Sequence, residues 1–388
     1  MRSISHNDGY TALIFADDLT GACDAGAPFA ARMNVRIALN SEQVPQAEVV
    51  AVNLRSRDID AAVARTKLQS AAQLVRDRKP QLFLKKIDSA FRGNTFEEIA
   101  ICLELLPHSI AILAPAFLSM GRKVHSGNLV IEDIAGQSVL DLVENLHKHG
   151  VACSVLQSPS EMGAEALEKR LLSAKEDGVQ LILSDAETEA DLSLLAQVGL
   201  QFGREILWFG SAGLSHAFVQ VDSMPHPEIT RRPPHAVGPI VFCIGSNHPV
   251  TRRQMQYLKE YGAVAEVHLG TAASLDMRLA LRDGANILLR LDTDQCAPAK
   301  ISDCLQPVVH RIGGMVLSGG DTAAMVCDAL AVETIELDGE LLQGIPSGWL
   351  RGGPADGLTI ATKSGGFGSE EALLHVSELL QSEARIKG

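Results

Sequence analysis

Short apolar runs recur along the chain. Each ends in a polar or glycine-rich segment, and a stretch with helical spacing follows. Apolar runs bounded by turn residues are typical of buried strands. The runs lie at or near Thr11, Val49, Leu82, Ile110, Val155, Leu181, Leu207, Ile240, Gly314 and Leu358. Strands that alternate with helices usually pair in parallel, so the pattern predicts an α/β fold with helices on both faces of each sheet.

A proline-rich stretch between Met224 and Pro239 interrupts this alternation. Proline fits neither a helix interior nor a central strand, so we place a linker at residues 224–239. The chain of 388 residues is also longer than one ordinary hydrophobic core supports. We therefore expect two domains, residues 1–223 and 240–388, each a largely parallel sheet flanked by helices.

Composition limits the function classes. A hydrophobic share of 46% with 4% aromatic residues fits a soluble α/β protein, and the formal charge of -13 argues against binding to nucleic acid or acidic membranes. The first eight residues lack an apolar signal core, and no apolar run approaches the ~20 residues of a membrane span. The scattered cysteines, without a Cys-x-x-Cys pair, favour a reducing compartment. We expect a cytoplasmic protein.

Two adjacent carboxylates, Asp17 and Asp18, follow the first strand, and a helix of small residues runs from there through Ala30. Ligands of open α/β sheets bind beyond the carboxyl ends of the strands. The alternative is that these acids only cap the helix, where Asp18 or Thr20 is suitably placed. The Asp-x-Asp pattern of a phosphatase is absent, because Leu19 occupies the second acidic position.

Basic residues follow the other strands of the N-terminal domain. They are Arg55, Arg57, Lys85, Lys86, Arg92, Arg122 and Lys123. In a parallel sheet they would lie at the same edge as Asp17. Arginine and lysine bind carboxylates through charge-assisted hydrogen bonds, and aspartate accepts hydrogen bonds from hydroxyls. The set favours a polyhydroxy acid as ligand, with solvated loop charges as the alternative.

Three strand–loop–helix units of the C-terminal domain carry glycine. The loops contain Gly245–Pro249, Ser318–Thr322 and Thr362–Gly368. Glycine lets backbone amides approach a phosphate, and a helix N-terminus adds oriented N–H groups. Neither the P-loop pattern nor Gly-x-Gly-x-x-Gly is present, so the loops favour a nucleotide but not an ordinary P-loop or a dinucleotide site.

Taken in order, these segments resemble the motifs of the four-carbon acid sugar kinase family. The matching segments are 16–26, 86–94, 115–122, 245–246, 318–323 and 362–368. The resemblance spans nearly the whole chain. It implies an acid-sugar domain followed by a nucleotide domain, and an ATP-dependent phosphotransferase that acts on threonate, erythronate or 3-oxo-tetronate.

The resemblance also implies site residues. Those expected to hold the substrate are Asp17, Arg55, Lys86, Ile87 and Asp88, and Arg92 lies at the same predicted edge. Those expected to hold ATP are Ser246, Gly319, Gly320, Asp321, Thr322, Gly365, Gly366, Phe367 and Gly368.

For the mechanism, we expect Asp17 to orient or deprotonate the attacking hydroxyl, supported by Asp18 and Asp88. Arg55 and Lys86 would hold the substrate carboxylate. Asp321 is either a second candidate base or a helix cap. Mg²⁺ would accompany ATP, with protein ligands that the sequence does not identify.

Two departures from the family pattern lie on the substrate side. Ala90 replaces a hydroxyl residue, and the segment 127–130 lacks an aromatic residue. They leave the identity of the acid open. Two other functions also remain open, a NAD(P)-dependent sugar-acid dehydrogenase and a nucleotide-regulated binding protein without turnover. A homo-oligomer is possible.

Overall fold

The computed structural model describes residues 10–133, 136–221, 234–270, 272–291 and 296–382. Most of the predicted linker, 224–239, lies outside these residues. The chain divides into two compact units. The first takes its described residues from 10–17 and 40–221, and the second takes its own from 18–39 and 234–382. The segment 18–39 thus belongs to the second unit, whereas the sequence placed it with the first domain.

The described strands and helices alternate along most of the chain. The strands are β1 (Ala12–Ala16), β2 (Val35–Ala38), β3 (Val49–Asn53), β4 (Leu82–Lys86), β5 (Ile110–Ala114), β6 (Arg122–His125), β7 (Asn128–Asp133), β8 (Gly136–Asp141), β9 (Cys153–Leu156), β10 (Leu181–Ser184), β11 (Ile206–Gly210), β12 (Ile240–Ile244), β13 (Val264–His268), β14 (Asn286–Arg290), β15 (Gly314–Ser318), β16 (Thr334–Leu342), β17 (Ile345–Arg351) and β18 (Thr359–Lys363).

The helices are α1 (Leu19–Ala30), α2 (Ala61–Arg78), α3 (Thr95–Leu105), α4 (Leu142–Lys148), α5 (Pro159–Met162), α6 (Ala164–Glu176), α7 (Glu189–Gly199), α8 (Ala212–Gln220), α9 (Pro249–Tyr261), α10 (Ala273–Arg282), α11 (Pro298–Leu305), α12 (Gly320–Ala329) and α13 (Ala372–Gln381). None of these helices combines the length and the apolar composition that crossing a bilayer requires.

The first unit is built on a parallel sheet. Its strands are neighbours in the order β3, β1, β4, β11, β5, β10 and β9. Helices α2, α3, α6 and α7 make crossovers between parallel strands, as such connections require. A separate antiparallel sheet of β6, β7 and β8 is inserted between β5 and β9.

The second unit has a mixed sheet. Strands β13, β14, β12, β15 and β18 are parallel neighbours, and β17, β16 and β2 continue the sheet in antiparallel pairing. Phe242, Leu288 and Val316 from the parallel strands pack in one apolar cluster with Met255 of α9 and Leu373 of α13. Burial of these side chains is the main stabilising contribution at this face.

These two sheets confirm the predicted fold class. The long apolar runs that predicted parallel strands are buried along their whole length in β1, β3 and β5, and again in β12 and β15. A strand covered by helices on both faces has no solvent-facing side, so its sequence shows a continuous apolar run without alternation.

Candidate functional site

In the first unit, three neighbouring strands bring acidic and basic residues to one edge. β1 lies between β3 and β4, with Ala16 opposite Asn53 and Phe15 opposite Lys85. The residues that follow these parallel strands therefore leave the sheet side by side. Asp17 follows β1 directly, and its carbonyl accepts a hydrogen bond of 2.9 Å from the N–H of Ser56.

Arg57 links the two buried carboxylates of this edge. Its Nε donates to Asp17 Oδ2 at 2.7 Å and its second terminal nitrogen donates to Asp17 Oδ1 at 3.1 Å, which is a bidentate pair. The same nitrogen lies 3.3 Å from Asp88 Oδ2. Asp17 and Asp88 are 2% and 3% exposed. Arg57 thus fixes Asp17 with charge-assisted hydrogen bonds and forms an ion pair with Asp88.

Asp88 is held on its other side by Arg92. The Nε and a terminal nitrogen of Arg92 lie 3.0 and 2.6 Å from the two Asp88 oxygens, and the N–H of Ala90 donates to Asp88 at 3.0 Å. The Arg92 side chain remains 53% exposed. It can therefore contact an anionic ligand from the solvent side while one face stays on Asp88.

The electrostatics keep both carboxylates ionised. Burial raises the pKa of Asp17, but the charges of Arg57 and Lys85 and the hydrogen bonds from Arg57 hold it below its ordinary value. Burial also raises the pKa of Asp88. There the hydrogen bonds from Arg92 and the charges of Arg57, Arg92 and Lys86 hold the pKa well below the ordinary range. This edge thus carries three cationic side chains, Arg57, Arg92 and Lys86, against the two carboxylates. The excess positive charge suits an acidic ligand.

The two consecutive lysines are buried in β4 instead of following it. Lys85 Nζ pairs with Glu98 Oε2 of α3 at 2.7 Å, and both side chains are almost fully buried. Lys86 Nζ donates to the carbonyl of Ile87 at 2.7 Å. Ile87 is itself 1% exposed, and its N–H donates to the Gly210 carbonyl at 2.9 Å. Adjacent strand residues point to opposite faces, so Lys85 and Lys86 have different surroundings.

The remaining predicted basic residues lie in other contacts. Arg55 has a left-handed backbone, with φ at 50°, and its N–H donates to Asn53 Oδ1 at 3.0 Å. Arg122 donates to the Met120 carbonyl, and Lys123 lies 3.8 Å from Glu132 across the small antiparallel sheet. The described contacts thus place Arg57, which was not among the predicted substrate residues, on Asp17.

In the second unit, three glycine-containing loops follow neighbouring strands. β15 lies between β12 and β18, and all three are parallel. The Gly319 N–H donates to the Lys363 carbonyl at 3.0 Å. Thr251 Oγ1, from the helix after the first loop, donates to the Gly365 carbonyl at 2.7 Å and lies 3.4 Å from Ser246 Oγ. A Cβ atom at Gly365 would clash with Ser246 Oγ. The three glycine-containing loops therefore lie in contact with one another.

The loop from Ser364 to Ser369 turns its carbonyls toward the protein. Lys363 Nζ donates to the carbonyls of residues 364, 365 and 367 at 2.8, 3.3 and 3.1 Å. Gln254 Nε2 donates to those of residues 367, 368 and 369 at 2.9, 3.1 and 2.8 Å. In a trans peptide the N–H points away from the carbonyl of the preceding residue. The amides of residues 365, 366, 368 and 369 therefore point away from these donors, as in an anion-binding loop.

The N-terminus of α12 contacts an aspartate of the same unit. Asp18 caps α1, with its Oδ1 accepting from the Gly21 N–H at 2.6 Å and its Oδ2 accepting from Thr20 Oγ1 at 3.0 Å. A Cβ atom at Gly320 would clash with the Asp18 carboxylate. Asp321 lies in the first turn of α12, whose cap is Gly319, and is exposed, whereas Thr322 is buried.

Comparison with known proteins identifies both halves of the chain. Residues 12–218 match a sugar-binding N-terminal domain, and residues 286–373 match a nucleotide-binding C-terminal domain. A D-threonate kinase of Bordetella bronchiseptica is 29% identical over 408 aligned residues, which cover 95% of this chain and 97% of that protein. The chain belongs to the four-carbon acid sugar kinase family.

Other members of the family act on related acids. A D-erythronate kinase of Heliobacterium modesticaldum is 26% identical, with 93% of this chain and 94% of that protein covered. A 3-oxo-tetronate kinase of Pseudomonas fluorescens is also 26% identical, with 92% and 94% covered. A solved structure from Salmonella typhimurium LT2 superposes with a TM-score of 0.72 at 16% identity, over 96% of this chain and all of that one, and shares the fold.

Lys363 and Gln254 were not predicted from the sequence as site residues, and Arg57 was predicted only as one of the basic residues at this edge of the sheet. Arg57 follows the same strand as Arg55, two positions later, and the left-handed backbone at Arg55 that precedes it is not visible in the sequence pattern. Lys363 is a single lysine at the end of an otherwise uncharged strand, and Gln254 lies in the interior of a helix. Within the described part of the chain, no group of three His, Cys, Asp or Glu side chains is arranged to hold a metal ion.

Proposed function

We propose that this protein is an ATP-dependent kinase that phosphorylates a hydroxyl of a four-carbon sugar acid. The observation that carries the proposal is the 364–369 loop. Its carbonyls are held by Lys363, Gln254 and Thr251, so its amides are oriented for phosphate, and it lies in the half of the chain that matches a nucleotide-binding domain. The kinase names of full-length relatives support the same reaction type.

The first unit offers the groups that a sugar acid needs. Arg92 is exposed enough to bind the substrate carboxylate, and Lys86 adds positive charge beside Asp88. Asp17 is buried, ionised and fixed in orientation by Arg57. In this proposal Asp17 accepts the hydrogen bond of the attacking hydroxyl and takes its proton as the oxygen–phosphorus bond forms. A carboxylate with a lowered pKa is a weak base, so its main contribution is orientation.

The second unit fits the phosphate groups of ATP. The outward amides of the 364–369 loop are donors, and the N-terminus of α12, beside Ser246, adds oriented N–H groups. Mg²⁺ usually binds with the phosphates and supplies neutralisation of their charge, and it commonly keeps several water ligands, so a protein site with three carboxylates is not required.

The proposed compartment is the cytoplasm, since the scattered cysteines suit a reducing environment. Assembly into a homo-oligomer stays a prediction.

The first experiment measures ADP release from Mg·ATP with a panel of acids. The panel contains D- and L-threonate, D- and L-erythronate, 3-oxo-tetronates and longer aldonates. We expect release with one four-carbon acid and little with the longer acids. Release that does not depend on any acid of the panel, or none at all, would contradict the proposal.

The Asp17→Asn variant is the matching test of mechanism. It should lower kcat at least ~100-fold and leave ATP binding intact, because the carboxylate acts on the hydroxyl and not on the nucleotide. Asp58→Asn is the control, since Asp58 is an exposed residue next to Arg57 in sequence. Near-normal turnover in Asp17→Asn would remove Asp17 from the mechanism.

A further inference from the structure

Lys363 is a buried lysine whose positive charge has no part in the function proposed above. It is the last residue of β18, and it is 1% exposed. Its Nζ donates to the carbonyls of Ser364, Gly365 and Phe367, at 2.8, 3.3 and 3.1 Å. All three acceptors belong to the loop that begins at the next residue. The lysine therefore folds back beneath its own loop.

The surroundings of this lysine suit an ammonium group. An ammonium has three N–H donors, and three carbonyl oxygens surround it here, whereas a neutral amine has only two donors. Among the described residues, its partners are carbonyl dipoles and not carboxylates, so its charge is not balanced there by an ion pair of the kind that holds Lys85. Burial lowers the pKa of Lys363 to about 7. A substantial fraction of the molecules therefore carries this charge near neutral pH.

The three hydrogen bonds also orient the loop. Because the carbonyls of Ser364, Gly365 and Phe367 point toward Nζ, the amides of Gly365, Gly366 and Gly368 point away from it. Gln254 and Thr251 reinforce the same orientation from α9. A phosphate on these amides would sit on the opposite side of the backbone from Lys363. The Lys363 ammonium would then attract the phosphate electrostatically across the loop backbone, without contacting it directly.

We propose that Lys363 is a positioning residue that holds this loop with its amides outward and places a positive charge behind them, so that the loop binds the phosphate groups of the nucleotide. The inference rests on the proposed function, and it differs from a P-loop lysine, which contacts the phosphates directly. The proposal predicts that replacing Lys363 weakens ligand binding more as the number of phosphates on the ligand increases, and that it leaves the binding of a nucleoside unchanged.

The test is a calorimetric titration of the full chain with adenosine, AMP, ADP and ATP near pH 6, where the ammonium form predominates. Lys363→Met should weaken ATP binding about tenfold or more, ADP less, and AMP least, since the lost term is a charge–charge attraction together with oriented amides. Adenosine affinity should stay within about twofold of wild type. Lys363→Arg, which keeps the charge and the donors, should recover most of the ATP affinity.

The matched control is Lys259→Met, the same substitution on α9 of the same unit. Lys259 Nζ lies 3.2 Å from Glu266 and its side chain is 46% exposed. Lys259→Met should leave the affinities for all four ligands unchanged. If Lys363→Met does not fold, as judged by its circular dichroism and melting, Lys363→Gln replaces it. Glutamine keeps donors but removes the charge, and the same graded loss is expected.

The outcomes separate the two proposals. A wild-type protein that binds none of the four ligands overturns the nucleotide function itself. A wild-type protein that binds them, with variants that keep the wild-type ratio of ATP to adenosine affinity, overturns only the role of Lys363. An equal loss for adenosine and ATP also overturns it, because a merely structural defect of the site would not depend on phosphate.

Discussion

At the scale of single residues, the sequence predicts the type of chemistry better than the identity of each contact. The edge residues Asp17 and Asp88 do come together, because they follow neighbouring strands. Arg57 contacts both of them, and it follows a left-handed backbone at Arg55 that leaves no trace in hydrophobic periodicity. Arg57 is therefore the residue to test first.

Arg57→Gln should lower the free energy of unfolding by about 3 kcal/mol at neutral pH, because it leaves two buried carboxylates without their shared partner. In the wild type the pKa of Asp17 lies below its ordinary value of 3.8. A lowered folded pKa contributes stability that is present above the unfolded value and lost as the pH falls through the folded value. In the variant that contribution is reduced or absent. The difference in stability should therefore stay nearly constant above about pH 5 and shrink as the pH falls below the ordinary value of 3.8, as measured by urea unfolding.

Arg65→Gln is the control for this measurement. Arg65 pairs with Glu104 at 2.8 Å, but the two side chains are 41% and 61% exposed. Solvent screens such a pair, so its loss should change the stability by about 0.5 kcal/mol or less. Equal losses for the two variants, or a loss for Arg57→Gln that does not depend on pH, would contradict the account of the buried cluster.

At the scale of elements, α1 explains why one part of the domain organisation was missed. Every residue of this helix is buried. A helix of small residues without a polar face is recognisable as a core helix, but its sequence does not specify which sheet it covers. In the structure it belongs with the second unit, where it contacts β16, β2 and α12. This helix was predictable from its sequence, whereas its grouping with the second unit depends on long-range contacts.

The close packing of α1 on α12 gives a prediction about Gly320. Alanine at a helix position is normally more stable than glycine by up to about 1 kcal/mol. Here a methyl group would displace the Asp18 carboxylate, which caps α1. Gly320→Ala should therefore lower the unfolding free energy by about 1–2 kcal/mol, the usual cost of a lost cap. Denaturant unfolding of the purified full chain measures it.

A double-mutant cycle identifies the cause. Asp18→Ala removes both the cap and the clash, so Gly320→Ala should cost little in that background, with a coupling of about 1 kcal/mol. Gly270→Ala serves as the control, since the nearest atom to a new Cβ there, the His268 carbonyl oxygen, lies 3.9 Å away. Additive losses for Asp18→Ala and Gly320→Ala would show that the contact between these residues does not determine the effect.

At the scale of the whole molecule, the fold class and the family follow from the order of the motifs, while the substrate does not. Relatives of nearly equal identity act on three different acids, at 29%, 26% and 26%. Binding residues lie disproportionately on loops, where one substitution such as Ala90 can change a contact without changing the fold. Direct ligand measurements must therefore decide between the functions that share this architecture.

Ligand protection against heating distinguishes those functions. A ligand at about 100 times its Kd stabilises the state that binds it by about 2.7 kcal/mol. For a kinase, we expect ADP and the correct four-carbon acid each to raise the melting temperature, and NADPH to leave it unchanged.

Protection by NADPH but not by ADP would favour a dehydrogenase, which the lack of a Gly-x-Gly-x-x-Gly loop after a strand argues against. Protection by ADP and acid without ADP release from Mg·ATP would indicate a binding protein without turnover. The combination of ADP protection, acid protection and acid-dependent ADP release is specific to the kinase, because only turnover links the two ligands chemically.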